Sequence, residues 1–450
     1  MRGVSVKEAA AIAGGSLINE KNADEEILSV VIDSRKVEKG AMFAALKGEH
    51  ADGHDYIAKA FELGAVCCLA EYVPEDVSGS VIVVPDVARA MKDLAEAYRK
   101  RFDIPIIGIA GSVGKTTAKE MVAAVLSSKY KVLKTEKNLN NELGVPLTVF
   151  RIEPEHEAAV IEMGISDFGE MRRLAKIVRP TMAVYTLIGH AHLERLHDRN
   201  GVLRAKTEMV EYMPEDGTLF LNADDDMLAS YECVQERVLY GLEPNADVRA
   251  ENISHESLNG MSCDIVSAER RIRVHIPAYG KHMVYAALEG AAVGLKLGLT
   301  DREIAAGIEN YETVGRRASI SDTGFITLVD DCYNANPDSV MCGIDSLSQC
   351  PGRKVCILGD MLEMGENKEK LHAQVGSYAS DKGISLLLCV GELSKNTCRA
   401  AEDISSLYFE TNAELIEELP RLIRKGDTVL VKASHSMRFD EISEALKLLK

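Results

Sequence analysis

A chain of 450 residues with 46% hydrophobic and 27% charged residues is long enough for about three globular domains with sizeable cores. Its net charge of −18 argues against a general nucleic-acid or anionic-membrane surface, because lysine and arginine carry those contacts. No apolar stretch reaches the length needed to cross a bilayer. The ten cysteines are scattered, and Cys67 and Cys68 are adjacent rather than spaced as CxxC, so they read as buried thiols of a cytoplasmic protein, not as a zinc site or disulfide framework.

In chain order, MRGVSVKEAAAIAGG has Glu8 at its middle and lacks the apolar core of a signal peptide. Residues 1–84 carry short β-type runs (LSVVID, AMFAAL, AVCCLA, SVIVVP) and form a small mixed α/β domain. The helical stretch ARAMKDLAEAYRKRF opens a second block, residues 85–312. There IPIIGIAG, AAVIEMG, MAVYTLIG and TLFLNAD alternate with helical patterns, as parallel βαβ units with buried strands do. Shorter antiparallel strands follow at about 247–277, then a helix from His282 to Leu297. From 313 to 450 the alternation restarts with FITLVDD, KVCILGD, LLLCVGE and TVLVKAS, which reads as a second, Rossmann-like doubly wound domain. The expected fold is therefore α/β with three domains, and a cleft where the two larger ones meet.

GIAGSVGKTT, Gly108–Thr117, lies between a strand and a helix and ends in Lys-Thr. The usual phosphate loop has Gly, four residues, then Gly-Lys-Ser/Thr, but here Ile109 stands where the first glycine belongs. The physics of phosphate binding survives: Gly111, Ser112, Val113 and Gly114 let backbone N–H groups face phosphate oxygens. The helix start adds partial positive charge. Lys115 neutralises the outer phosphates, and Thr116 and Thr117 open the helix, with the Thr116 hydroxyl suited to Mg²⁺. Glu162 ends the run AAVIEMG at the same sheet edge, where a carboxylate is either a metal ligand or a solvated strand end. LIGHAHLERLHDRNGVLRAK brings His190, His192 and His197 to that edge without spacing deciding among them, and Lys206 reads by itself as a helix-surface lysine. DDCYNANPDS, Asp330–Ser339, suits nucleotide polar groups but is also ordinary turn composition. GRR at 315–317 sits at the domain junction, where an arginine reaches phosphate on closure.

These pieces, in this order, resemble the muramyl ligases, ATP-dependent amide-forming enzymes of peptidoglycan precursor synthesis. GxxGxxGKTT, TEKNLNNELGVPLT, IEMG, HAHLE with the later AK pair, GRR and DDCYNANPDS all carry the likeness, as do DSRKVEKGAMFAALKGEHADGHDYI, LGDMLEMGENKEKLHAQVG and VLVKASHSMRFDEI. The resemblance implies a central ATP-binding domain in which Lys115 and Thr116 hold ATP and Mg²⁺ with Glu162 as a metal ligand. It implies a second metal on His192 and a carbamate, formed from CO₂, on Lys206. Arg316, Asp331, Asn334 and Asn336 would reach ATP from the last domain. Ser34, Arg35, Lys47, Gly48, Asp52, Gly53 and His54 would bind the UDP-sugar end, with Asn138 and Asn141 beside the sugar nucleotide or acyl group. The implied substrates are UDP-N-acetylmuramoyl-tripeptide and D-alanyl-D-alanine, joined through an acyl phosphate. Length and charge fit a cytoplasmic monomer. Two places depart from the family pattern: Met283 and Ala286 stand where asparagines are common near adenine, and His435 stands where an arginine is common. The rival expectations are a related ligase acting on another carboxylate and a phosphate-loop ATPase switch.

Overall fold

The computed structural model describes the chain except residues 49–50, 76, 256–259, 269, 279, 314, 316–318 and 351. Three sheets organise it. The first has strands in the order Ser16–Ile18, Ser80–Val83, Cys67–Ala70, Ala41–Ala44 and Ser29–Val31, with an antiparallel edge and parallel pairs elsewhere.

The central sheet has nine strands. Val132–Lys134, Ala158–Glu162, Ile106–Ala110, Met182–Tyr185, Thr218–Asn222, Glu236–Gly241 and Val248–His255 lie side by side and parallel. Met261–Ser267 and Arg270–Ile276 extend the sheet antiparallel. The third sheet runs Ser319–Asp322, Thr327–Asp330, Thr428–Lys432, Lys354–Gly359, Leu386–Val390 and Ser405–Phe409, parallel except for its first strand.

The period of two in each buried strand divides its side chains between two cores. Val355 and Ile357 join one apolar cluster while Cys356 and Leu358 join another, so the third sheet is covered on both faces, as a doubly wound domain requires. In the central sheet Ile107 and Ile109 pack on one side and Ile106 and Ala110 on the other. Among the described residues, which include all ten cysteines, no disulfide is formed, and no helix is long and apolar enough to cross a membrane.

Five strands lie outside the apolar runs read from the sequence: Ser16–Ile18, Val132–Lys134, Glu236–Gly241, Ser319–Asp322 and Ser405–Phe409. All are wholly or partly exposed, and four are at or next to a sheet edge. They therefore lack the continuous apolar run that marks a strand covered on both faces.

Glu289, in the helix Lys281–Lys296, is buried against Tyr240. The Tyr240 hydroxyl lies 2.8 Å from both the Tyr185 carbonyl and Glu289 Oε1. With one phenolic proton facing two acceptors, a protonated Glu289 would donate to Tyr240 while Tyr240 donates to the carbonyl. Burial pushes the Glu289 carboxyl up to about 8. A carboxyl raised on folding stabilises fully below its unfolded value of 4.5, and that stability is lost as pH rises through about 8. Glu289→Gln keeps a donor in place. Its melting temperature relative to the parent is expected to climb steadily from pH 5 to pH 8, by an amount equivalent to a few kcal/mol at order of magnitude. A difference that stays flat with pH in differential scanning calorimetry contradicts the protonated pair.

Candidate active site

The loop Gly111–Gly114 leaves the C-terminal end of the strand Ile106–Ala110, third from one edge of the central sheet, and enters the helix Lys115–Ser127. Ile109, in the place of the usual first glycine, is a fully buried strand residue. The turn is made instead by Gly111 at φ 150° and Gly114 at φ 83°. A Cβ on Gly111 would lie 1.9 Å from Thr186 Oγ1, and that hydroxyl donates to the Val113 carbonyl at 2.5 Å. Ser112 N–H donates to the Leu187 carbonyl at 2.8 Å, and Gly189 N–H to Ser112 Oγ at 3.0 Å. The loop is thus laced to the segment that follows the neighbouring strand Met182–Tyr185. Lys115 Nζ folds back to donate to the Gly111 carbonyl at 2.8 Å.

Glu162 pairs in register with Ile109, which puts its side chain at the same edge. It is only 1% exposed. Thr116 Oγ1 donates to its Oε2 at 2.8 Å, and Asn140 Nδ2 donates to its Oε1 at 2.8 Å. Thr135 Oγ1 accepts from the Glu162 N–H at 3.0 Å, and the buried Lys119 holds the Thr135 carbonyl at 2.8 Å. Of the three asparagines in TEKNLNNELG it is therefore Asn140 that reaches the carboxylate. Asn138 is exposed, and Asn141 Oδ1 accepts the Leu143 and Gly144 N–H groups at the start of the helix Gly144–Val149. A hydroxyl and a carboxylate are hard oxygen donors of the kind Mg²⁺ takes. Among the described residues there is no cluster of three or more His, Cys, Asp or Glu able to hold a metal by itself. The donor set suits an ion that shares its coordination with phosphate and water.

Lys206 is on the helix Arg199–Thr207, 1% exposed, which corrects its reading as a surface residue. No hydrogen bond or ion pair to its Nζ is present among the described residues, and burial, with the nearby charge of Lys115, holds its amine well below the usual lysine range.

The C-terminal domain meets this edge through loops. Asp338, in the first turn of the helix Pro337–Ser348, accepts the His190 N–H at 2.6 Å, and a Cβ on Gly189 would lie 2.3 Å from Asp338 Oδ2. Glu363 Oε2 lies 2.6 Å from His192 Nδ1. A cavity of about 500 Å³ lies along this junction, lined by His190, His197, Arg199, Asn200 and Asp226 from the central domain and Asn367 from the other. Asp331 pairs with the buried Lys432 at 2.6 Å, and Lys432 also donates to the Asn334 carbonyl. The Asn334 side chain accepts the Ala335 N–H, and Asn336 caps the helix with Ser339. Arg316 lies outside the described residues. Met283 and Ala286 are buried in the helix Lys281–Lys296, and the His435 ring lies 5.7 Å from that of Tyr333.

In the first domain Arg35 extends from Ser34–Lys36 into solvent, 88% exposed, held by two hydrogen bonds to Asp33. His54 is buried, with Nδ1 2.6 Å from Asp52 and Nε2 accepting the Glu71 N–H at 2.9 Å. Both ring nitrogens are therefore used in folding the segment, and Lys47, Gly48 and Gly53 lie on the same turn, bridged by Lys47 and Asp52. Asn140, Asp338, Glu363 and Lys432 escaped the sequence reading. All four lie within stretches that carry the family likeness, TEKNLNNELG, DDCYNANPDS, LGDMLEMGENKEKLHAQVG and VLVKAS, but spacing within those stretches does not single them out.

Fold and site together define a three-domain α/β protein with a phosphate-binding loop. Models of the Mur ligase family match it in succession: the "Mur ligase family, catalytic domain" over 26–107, the "Mur ligase middle domain" over 109–294 and the "Mur ligase, glutamate ligase domain" over 315–435. The UDP-N-acetylmuramoyl-tripeptide--D-alanyl-D-alanine ligase of Bacillus subtilis (strain 168) is 34% identical, covering 98% of each chain. The structure of MurF from Acinetobacter baumannii superposes with a TM-score of 0.89 at 28% identity, over 99% of this chain and 98% of that one. MurF ligase from Thermotoga maritima, solved in complex with ADP, gives 0.83 at 26% identity over 94% and 97%. The chain belongs to the Mur ligase family.

Gly111→Ala sets a methyl group against Thr186 in a backbone conformation that L residues avoid. It is expected to weaken ADP binding by about 1–3 kcal/mol, read by titration calorimetry; unchanged affinity contradicts the close-packed loop.

Proposed function

We propose that this chain is an ATP-dependent ligase that joins D-alanyl-D-alanine to UDP-N-acetylmuramoyl-tripeptide in peptidoglycan precursor synthesis, acting as a monomer in the cytoplasm. The observation that carries the reading is the buried Thr116–Glu162–Asn140 unit beside a phosphate loop, in a chain that matches relatives of that name from end to end.

A carboxylate is a poor electrophile, so the amide needs a better leaving group. The terminal carboxylate oxygen of the tripeptide attacks the γ-phosphorus of ATP, the bond to the β–γ bridging oxygen breaks, and ADP departs from an acyl phosphate. The amine of D-alanyl-D-alanine then attacks the acyl carbon. The C–O bond to phosphate breaks, the nitrogen gives up a proton, and inorganic phosphate leaves.

The backbone N–H groups of Gly111–Thr117 and the start of the helix cradle the phosphates. Lys115 leaves the Gly111 carbonyl to neutralise the outer oxygens. Thr116 and Glu162 would hold Mg²⁺, and His192 with a carbamylated Lys206 would hold a second ion; magnesium there would supply the positive charge that lets two anions approach. Lys206 is suited to carbamylation, because burial favours its neutral amine and only that form attacks CO₂. Asp331, Asn334, Asn336 and Arg316 address ATP from the last domain. Ser34, Arg35, Lys47, Gly48, Asp52, Gly53 and His54 address the UDP end, and Asn138 and Asn141 lie beside the sugar nucleotide or acyl group. The three units of action are residues 1–84, 85–312 and 313–450.

ADP release with Mg²⁺ and ATP is expected to require both UDP-N-acetylmuramoyl-tripeptide and D-alanyl-D-alanine and to yield a pentapeptide by mass. Release indifferent to both contradicts the reading in favour of a switch or another acceptor. Lys206→Ala is expected to lose most of its turnover and to regain part of it with added short-chain carboxylic acids; loss without any rescue counts against the carbamate.

A further inference from the structure

His192 and Glu363 are 171 residues apart and belong to different domains, yet Nδ1 and Oε2 lie 2.6 Å apart. Both residues hold left-handed backbone conformations, His192 at φ 54° and Glu363 at φ 63°. Neither is a glycine, so both loops adopt a disfavoured shape at the point where the two side chains meet. Around them the surfaces fit closely. A Cβ on Gly365 would touch the Glu194 backbone at 3.4 Å, and one on Gly189 would lie 2.3 Å from Asp338 Oδ2. Asp338 receives the His190 N–H two residues before His192. Nε2 of His192 has no hydrogen-bond partner among the described residues, so the carboxylate engages one ring nitrogen and leaves the other uncommitted.

We infer that Glu363 is a positioning residue for the ligation reaction. Delivered by the C-terminal domain, it takes the Nδ1 proton of His192 in a hydrogen bond, fixes the ring as the Nδ1–H tautomer, and leaves Nε2 with its lone pair for the metal. A carboxylate behind a ligating histidine is a recurring way to set the tautomer and orientation of the ring. Here that carboxylate comes from the opposite domain, so His192 is oriented only when the C-terminal domain is docked. A metal site completed only after docking delays activation of the carboxylate until the cleft is shut, which protects an acyl phosphate from water. The inference rests on the proposed ligase reading for the role of His192, while the pairing itself does not.

Two measurements separate them. The first uses the substrate-free protein labelled with ¹⁵N-histidine, and long-range ¹H–¹⁵N spectra of His192 in the parent and in Glu363→Ala. The parent is expected to show a single Nδ1–H tautomer, and the variant a tautomer mixture; the same tautomer in both overturns the inference. The second is steady-state ligation. Glu363→Ala is expected to lower kcat about 10–100-fold with little change in KM for ATP, and Glu363→Gln, whose carbonyl still accepts from Nδ1–H, to recover most of the loss. In a His192→Ala background the Glu363→Ala change is expected to do nothing further, whereas an equal additional loss there overturns the positioning role. A parent that does not ligate removes the functional reading but leaves the tautomer result standing.

Discussion

A carboxylate buried at the C-terminal edge of a parallel sheet is the constraint around which this molecule is built. Glu162 is 1% exposed and is met by two neutral donors, the Thr116 hydroxyl and the Asn140 amide. Each of its two oxygens thus has one neutral donor and keeps further acceptor capacity, in an interior where polar groups are costly to leave unpartnered. The arrangement is therefore poised for a cation. The nearest elements are consistent with that: the phosphate loop lies one strand away, its lysine folded onto its own backbone, and Lys206 is held without a partner among the described residues. On the proposed reading a nucleotide bringing Mg²⁺ would meet the Thr116–Glu162 oxygens, and Lys115 would leave the Gly111 carbonyl to reach it.

The second organising feature is that the site is completed across a domain boundary. The segment after the strand Met182–Tyr185 has two duties. Thr186, Leu187 and Gly189 brace the phosphate loop from one side, while Gly189, His190 and His192 receive Asp338 and Glu363 on the other. One short stretch thus contacts both the nucleotide loop and the incoming domain.

What was legible in the sequence follows from which physical signals are local. IPIIGIAG, AAVIEMG and KVCILGD are strands buried on both faces, and an unbroken apolar run announces them. SSLYF and ERVLYG are only part buried and carry no such run. The phosphate loop was readable despite Ile109 because strand, glycines and helix are contiguous; that Ile109 belongs to the core and Gly111 makes the turn became visible only with the backbone. TEKNLNNELG offered three asparagines, and spacing alone could not say that Asn140 would meet Glu162 while Asn141 holds the Leu143 and Gly144 N–H groups. Lys206 was opaque for a related reason: its burial is decided by the sheet its helix covers, not by its neighbours in the chain. Glu363 was beyond reach, because a loop 171 residues away defines its role.

In the proposed reaction the phosphate held at this loop activates a carboxyl group. The most direct measurement uses UDP-N-acetylmuramoyl-tripeptide labelled with ¹⁸O in its terminal carboxylate, turned over with ATP, Mg²⁺ and D-alanyl-D-alanine, with the inorganic phosphate analysed by mass. One ¹⁸O is expected in phosphate for each amide formed, because a carboxylate oxygen becomes the bridge of the acyl phosphate and leaves with the phosphorus. Amide formed with unlabelled phosphate would contradict it.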